Sequence, residues 1–227
     1  MARFSCVRSS LQSNAITEPT SGEKKFPKEI RPVFREVRHQ EAVAKIDRFE
    51  VLIPFDHLKG RSQSVISAWM DLQEKATPAI NLFLSALVDE HTYMNFRYLS
   101  LAQSLESLHR RVVHPRDMNF DKRLTAQMRP FEKHFGDEAA RKDLIRRIVA
   151  TRNYFTHYDE KLSAFASHNY DLWILCEKAS LLFVFVVLDL VGVTPAQIDA
   201  LVAERPRILE RLNLQFTTPI PAKPSSG

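Results

Sequence analysis

From about Arg61 onward, apolar positions recur at helical spacing almost without interruption. Ser62 or Ser64 can cap a first helix carrying Val65, Ile66, Trp69, Met70 and Leu72. Thr77-Pro78 opens a second, with proline in the first turn where its missing N–H is harmless. Ile80, Phe83, Leu84, Leu87 and Val88 follow on one side. Tyr98, Leu101, Ala102, Leu105, Leu108 and Val112 form a single stripe and predict a third helix over about 95–113, broken by His114-Pro115. A polar connector holds Leu124, Met128, Phe131 and Phe135, a short helix interrupted at Pro130.

Asp137-Glu138 place acids at the positive end of the next helix, whose inner face is Leu144, Ile148, Thr151 and Phe155. Tyr170 to Val191 is apolar on nearly every side, the pattern of a helix buried at the centre of a bundle, and Gly192 ends it. Thr194-Pro195 and Pro206 delimit two short helices after it. The pattern predicts an all-α bundle of four to five core helices. Phe49 to Phe55 is expected to be a short strand or extended segment, residues 1–48 a tail or the remnant of an upstream domain, and 214–227 disordered, leaving a helical domain over 49–213.

Composition narrows the class. The 44% hydrophobic content suffices for a core, and 12 Pro against 5 Gly argues against a turn-rich β protein. The longest uninterrupted apolar run, Leu181 to Leu188, is far shorter than the ~20 residues a membrane span needs, so no membrane partner is expected. Cys6 and Cys176 make neither a disulfide framework nor a metal site, which fits a reducing cytoplasm. The net charge of +5 is concentrated. Ser107 to Arg152 holds 12 Lys/Arg and 6 Asp/Glu, a surplus of 6 that accounts for the whole excess. Such a stretch is either a polyanion-binding face or a solvated helical surface.

The chemistry-bearing stretch is Arg152-Asn153-Tyr154-Phe155-Thr156-His157. With 20 Arg and 8 His, an arginine five residues before a histidine is expected by composition about 0.7 times. Arg129…His134 is a second such pair. Requiring asparagine after the arginine lowers the expectation to about 0.02, and Arg152-Asn153 passes where Arg129-Pro130 does not. A histidine titrates in the range useful for moving protons, and an arginine presents a permanent planar charge to phosphoryl oxygens. Asn153 is expected to orient the imidazole, with contact to the phosphate as the alternative. RNA brings its own 2′-hydroxyl nucleophile, so this set requires no metal or other cofactor. Five residues on an ideal helix leave Arg152 and His157 about 140° apart. A helix break near Asn153, a long arginine reaching around, or a site shared by two subunits would each relieve this.

The Arg-Asn-x-x-x-His element after a Leu-Ile-x-x-Ile helix resembles the signature of HEPN domains, helical bundles many of which are ribonucleases. Leu99 to Arg111, with its Leu-Glu-x-x-His, and the Trp69 helix followed by Thr77-Pro78-Ala79-Ile80 resemble the C-terminal HEPN region of ApeA-type antiphage proteins. The resemblance runs from about Phe49 to Gly192 and makes Phe49–Leu58 the edge of a larger N-terminal domain. It implies a metal-independent endoribonuclease acting as a homodimer on RNA, used in abortive, toxin-like defence against phage; whether an antitoxin or regulatory domain restrains it the sequence leaves open. HepT-type toxins carry a tyrosine two residues after the histidine. Here Asp159 occupies that position and Tyr158 follows His157 directly.

Arg152, Asn153 and His157 are thus the candidate catalytic residues, with Glu106, His109 and Tyr158 in support. Glu106 would hold Arg152, while His109 and His114 would be phosphate-side or structural. Arg110, Arg111, Arg146 and Arg147 would line an RNA groove, the last two being equally readable as helix-end charges in water. The alternatives are a non-catalytic HEPN-like module for dimerisation or nucleic-acid binding, and a helical interaction protein in which Arg152 and His157 are structural.

Overall fold

The helical periodicity is realised throughout the computed structural model, which describes residues 55–88, 93–114 and 117–219 together with 53 and 221. Among these residues there are eight α-helices and no strand. They are α1 (Ser62–Val88), α2 (Met94–Leu108), α3 (Phe120–Met128), α4 (Glu138–His157), α5 (Glu160–Ser163), α6 (Asn169–Leu190), α7 (Pro195–Ala203) and α8 (Pro206–Asn213). The described residues form an all-α bundle. Most of the expected extended segment around Phe49–Phe55 lies outside the described residues. Its last member, Phe55, opens a 3-10 turn over Phe55–Leu58.

The two helices expected around Thr77-Pro78 run on as one element, α1, with a kink at Ala76 (φ −117°, ψ 18°). A proline leaves the carbonyl four residues back without its donor and crowds it, so the axis bends just ahead of Pro78. α1 packs along α2 as the most extensive helix pair of the bundle. Trp69, expected on an apolar face, sits at the bundle's edge with 36% of its surface exposed.

α6 is the hub, touching α1, α2, α3, α4, α7 and α8. Ile174, Leu175, Ala179 and Leu182 on it are sealed from solvent, as its nearly all-round apolar pattern requires. Phe183 stacks on Phe83 of α1 at 4.2 Å between centroids. Cys176 lies here against Met94, and burial pushes its thiol up to about 12, making it a small hydrophobe rather than a nucleophile. No described helix is long and apolar enough to cross a membrane.

α4 carries the candidate site, and three devices fix it. Asp137 caps its start, accepting from Ala140 N at 2.8 Å. Leu144, Ile148, Thr151 and Phe155 are buried as their spacing predicts. The buried Tyr98 hydroxyl of α2 donates to the Ile148 carbonyl at 2.5 Å, pinning the turn just before Arg152. Thr151 Oγ1 then accepts from Ser167 N at 2.9 Å, tying the same turn to the approach to α6.

One expectation for the ends is corrected. Leu214–Pro219, expected to be disordered, is ordered against α4 and α6. Asp171 accepts from Thr217 N (2.7 Å), Thr217 Oγ1 (2.9 Å) and Thr218 N (2.9 Å). Arg147 donates to the Thr218 carbonyl at 2.7 Å and lies over the Phe216 ring at 4.1 Å. Residues 220 and 222–227 lie outside the described residues.

Candidate active site

The helix does not break at Asn153. α4 stays regular through His157, and Tyr158 closes it in the left-handed conformation at φ 52°. Arg152 and His157 therefore leave the same helix in directions about 140° apart, as ideal geometry demands.

Arg152 turns towards α2. Its Nη2 donates to Glu106 Oε2 at 3.0 Å, and its Nη1 donates to Asn153 Oδ1 at 3.2 Å. The guanidinium carbon lies 5.8 Å from the centre of the Phe120 ring. Glu106 uses its other oxygen on Arg110 Nη2, also at 3.0 Å. One carboxylate thus orders two arginines from two segments of the bundle. The Arg152 side chain stays 32% exposed, so solvent and ligand still reach it. Glu106 holds Arg152 in the way the sequence anticipates. Asn153 does not orient the imidazole within the chain: its amide oxygen is turned to the guanidinium.

His157 is exposed, and among the described residues no hydrogen bond or ion pair engages its ring. Tyr158 beside it is 56% exposed, its hydroxyl accepting from Asn95 Nδ2 at 2.9 Å. This bond ties the far end of α4 to the start of α2.

The remaining candidates divide by burial. Past Leu108, α2 widens into a π turn over His109–Val113. The turn buries His109, and its Nδ1 faces Arg123 Nη1 at 3.0 Å. Burial, then the Arg123 guanidinium, then His114 lower its pKa, so the ring is a neutral acceptor. Of the two roles open to His109 the enclosed position leaves the structural one. Arg123 is itself fully buried and also donates to the carbonyls of Met118 and His114. Nothing in the sequence distinguished it from its neighbours in the basic stretch. Arg110 and Arg111 stand exposed on the same turn.

Arg147 is a correction. It is 3% exposed, donating to Asp143 Oδ2 at 2.6 Å and lying 3.8 Å from Asp171. It cannot line an RNA groove from there, because the C-terminal segment covers it. Arg146 is half-exposed, donating to Asp143 Oδ1 at 2.5 Å and to the Pro221 carbonyl at 3.0 Å.

Residues 99–197 match the family model described as Apea-like HEPN. The matched span runs from early α2 into α7 and includes Glu106, Arg110, Arg152, Asn153, His157 and Tyr158. This stretch is an Apea-like HEPN domain. No curated protein and no solved structure matches the chain. The first turn of α2, with Asn95, and all of α1 lie ahead of the span the HEPN model covers.

Proposed function

We propose that this HEPN domain cleaves RNA without a metal, by attack of the 2′-hydroxyl on the adjacent phosphodiester. The observation that carries the reading is the pair on α4. Arg152 is a permanently charged fork held in place by Glu106 and Asn153 yet open to solvent, and the unengaged imidazole of His157 follows five residues later.

In the reaction the 2′-oxygen loses its proton and bonds to phosphorus, the P–O5′ bond breaks, and the 5′-oxygen takes a proton. Products are a 2′,3′-cyclic phosphate and a 5′-hydroxyl. His157 supplies the proton transfers. Arg152 stabilises the charge that accumulates on the non-bridging oxygens. Because the two side chains diverge on an unbroken helix, the site is completed by a second copy of the chain, so that the arginine and the histidine at one phosphate come from different subunits. Arg110 and Arg111 supply phosphate contacts beside it. Toxin-like arrest in defence against phage is the biological setting we assign to this activity.

A second reading, a non-catalytic module for dimerisation or nucleic-acid binding, is favoured by one observation. The Glu106 carboxylate already neutralises part of the charge of Arg152 and Arg110.

The test is incubation of the full chain with bulk RNA in excess EDTA, wild type beside Arg152→Ala and His157→Ala. Cleavage by wild type alone, with cyclic phosphate ends, supports the nuclease. Intact RNA with all three proteins, each folded and RNA-binding, selects the second reading.

A further inference from the structure

We infer that Tyr158 is a stacking platform for an unpaired base of the RNA strand whose phosphate is handled at Arg152 and His157. The inference rests on the reading of this site as RNA-handling and names how the strand is gripped.

The starting point is a conformational misfit. Tyr158 occupies the left-handed position that follows α4, at φ 52°. Glycine is the residue that suits such a position, and a side chain with a Cβ is disfavoured there. A large ring placed in a disfavoured backbone well would ordinarily recover the cost by burial. This one is 56% exposed. It is nonetheless fixed. Its hydroxyl accepts from Asn95 Nδ2 on α2 at 2.9 Å, and its ring lies 5.7 Å from Tyr154 and 6.0 Å from Phe155, centre to centre.

Behind it the rings form a graded set. Phe155 is buried at the root, Tyr154 is half-buried, and His168 is exposed on the far side, 5.3 Å from Tyr154. Their mutual tilts run from 57° to 74°: Phe155–Tyr158, Tyr154–His168 and Phe155–His168 meet edge-on, and Tyr154 is tilted against Phe155 and Tyr158. Among the described residues no ring lies parallel on Tyr158, whose 56% exposure leaves ring surface open to a stacking partner. A rigid, exposed aromatic face is what single-stranded nucleic-acid sites offer to bases, because every base has a π face and stacking tolerates any sequence.

Position selects the occupant. Tyr158 directly follows His157, so a base lying on it belongs to a nucleotide whose phosphate is at the histidine. Exposed Arg110 and Arg111, on the turn that continues α2, supply positive charge for the flanking backbone. A purely apolar partner would leave the exposed Arg111 without an opposite charge, whereas Arg110 already shares Glu106.

The experiment uses the full chain and a single-stranded 2′-O-methyl oligonucleotide, which lacks the attacking hydroxyl, carrying one 2-aminopurine. A matched strand with an abasic site there serves as the second probe. Wild type is expected to quench the aminopurine and to bind the abasic strand about tenfold more weakly. Tyr158→Leu should lose both the quench and the discrimination, while Tyr158→Phe and Tyr158→Trp should keep them. Equal binding of the two strands by wild type overturns the platform even if Tyr158→Leu fails to fold, as does undiminished quenching by Tyr158→Leu. Either result leaves the nuclease reading standing so long as His157→Ala still abolishes cleavage. Failure of wild type to bind any strand removes both.

Discussion

Glu106 on α2 and Arg152 on α4 meet at 3.0 Å across 46 residues of sequence. The carboxylate that orders the guanidinium also weakens its pull on a phosphate. Glu106→Gln separates the two effects. The amide keeps an acceptor but drops the charge, so RNA should bind more tightly and with a steeper salt dependence. Cleavage should fall by about ten- to a hundredfold, because a loosened arginine is no longer aimed at the transition state. The split appears as a lower KM with a lower kcat. Stability should change by less than about 1 kcal/mol, as for other partly exposed ion pairs.

Arg111 and Arg147 look alike in the sequence and sit in opposite environments. Arg111→Ala should leave the melting temperature unchanged and reduce the slope of log affinity against log salt by about one. Arg147→Ala should do the reverse. It uncovers Asp143 and Asp171 and frees the Leu214–Pro219 segment, costing about 3 kcal/mol as the breaking of buried pairs does. Thermal unfolding and hydrogen exchange at Thr217 and Thr218 read the loss, with RNA salt dependence unaltered.

This contrast shows what a linear reading captures. The burial of Leu144, Ile148, Thr151 and Phe155 follows from spacing alone, since one face of one helix decides it. The basic surplus over Ser107–Arg152 does not resolve into roles, because counting charges cannot tell which arginines turn inwards. Arg123 and Arg147 are buried by partners brought from elsewhere: the π turn for one, and Thr218, 71 residues on, for the other. The ordered C-terminal segment was hidden for the same reason. Its anchors, Asp171 and Arg147, are supplied by α6 and α4 rather than by its own residues. At the candidate site, Arg152, Glu106 and His157 were singled out from the sequence, and the structure brings the first two into contact. The amide's turn toward Arg152 depends on local geometry that the motif does not encode.

Acid should destabilise the protein in two separate windows. His109 is held below its ordinary pKa, first by burial and then by the facing Arg123 and His114. The native state therefore resists a proton that the unfolded chain accepts, so this stability is full above the unfolded value near 6.5 and declines as pH falls beneath it. Burial alone would raise Asp171, yet hydrogen bonds from Thr217 and Thr218 outweigh it and hold the carboxyl below the ordinary value. Its contribution is present above about 3.9 and is lost as pH falls through the native value. Denaturant unfolding from pH 8 to 3 should show both declines. His109→Asn, which keeps a neutral acceptor, should remove the upper one, and Asp171→Asn should shrink the lower, to which Asp143 and Asp199, where hydrogen bonds likewise outweigh burial, also contribute.

The unbroken course of α4 makes the subunit arithmetic testable. If Arg152 and His157 diverge on one helix, the arginine and histidine at a given scissile phosphate come from different chains. Arg152→Ala and His157→Ala should each be inactive alone. Unfolded and refolded together at equal amounts, half the dimers are mixed, and each mixed dimer pairs an intact Arg152 from one chain with an intact His157 from the other. One of its two sites is then whole, and activity should return to about a quarter of wild type under random pairing. A site built within one chain would stay dead in every combination, because each chain lacks one of its two residues. A site that requires both histidines at once would also stay dead, but His157→Ala mixed with wild type would then fall as the square of the wild-type fraction, where a crossed pair falls linearly. Cleavage rates across mixing ratios therefore distinguish a crossed pair from a fourfold-dependent centre.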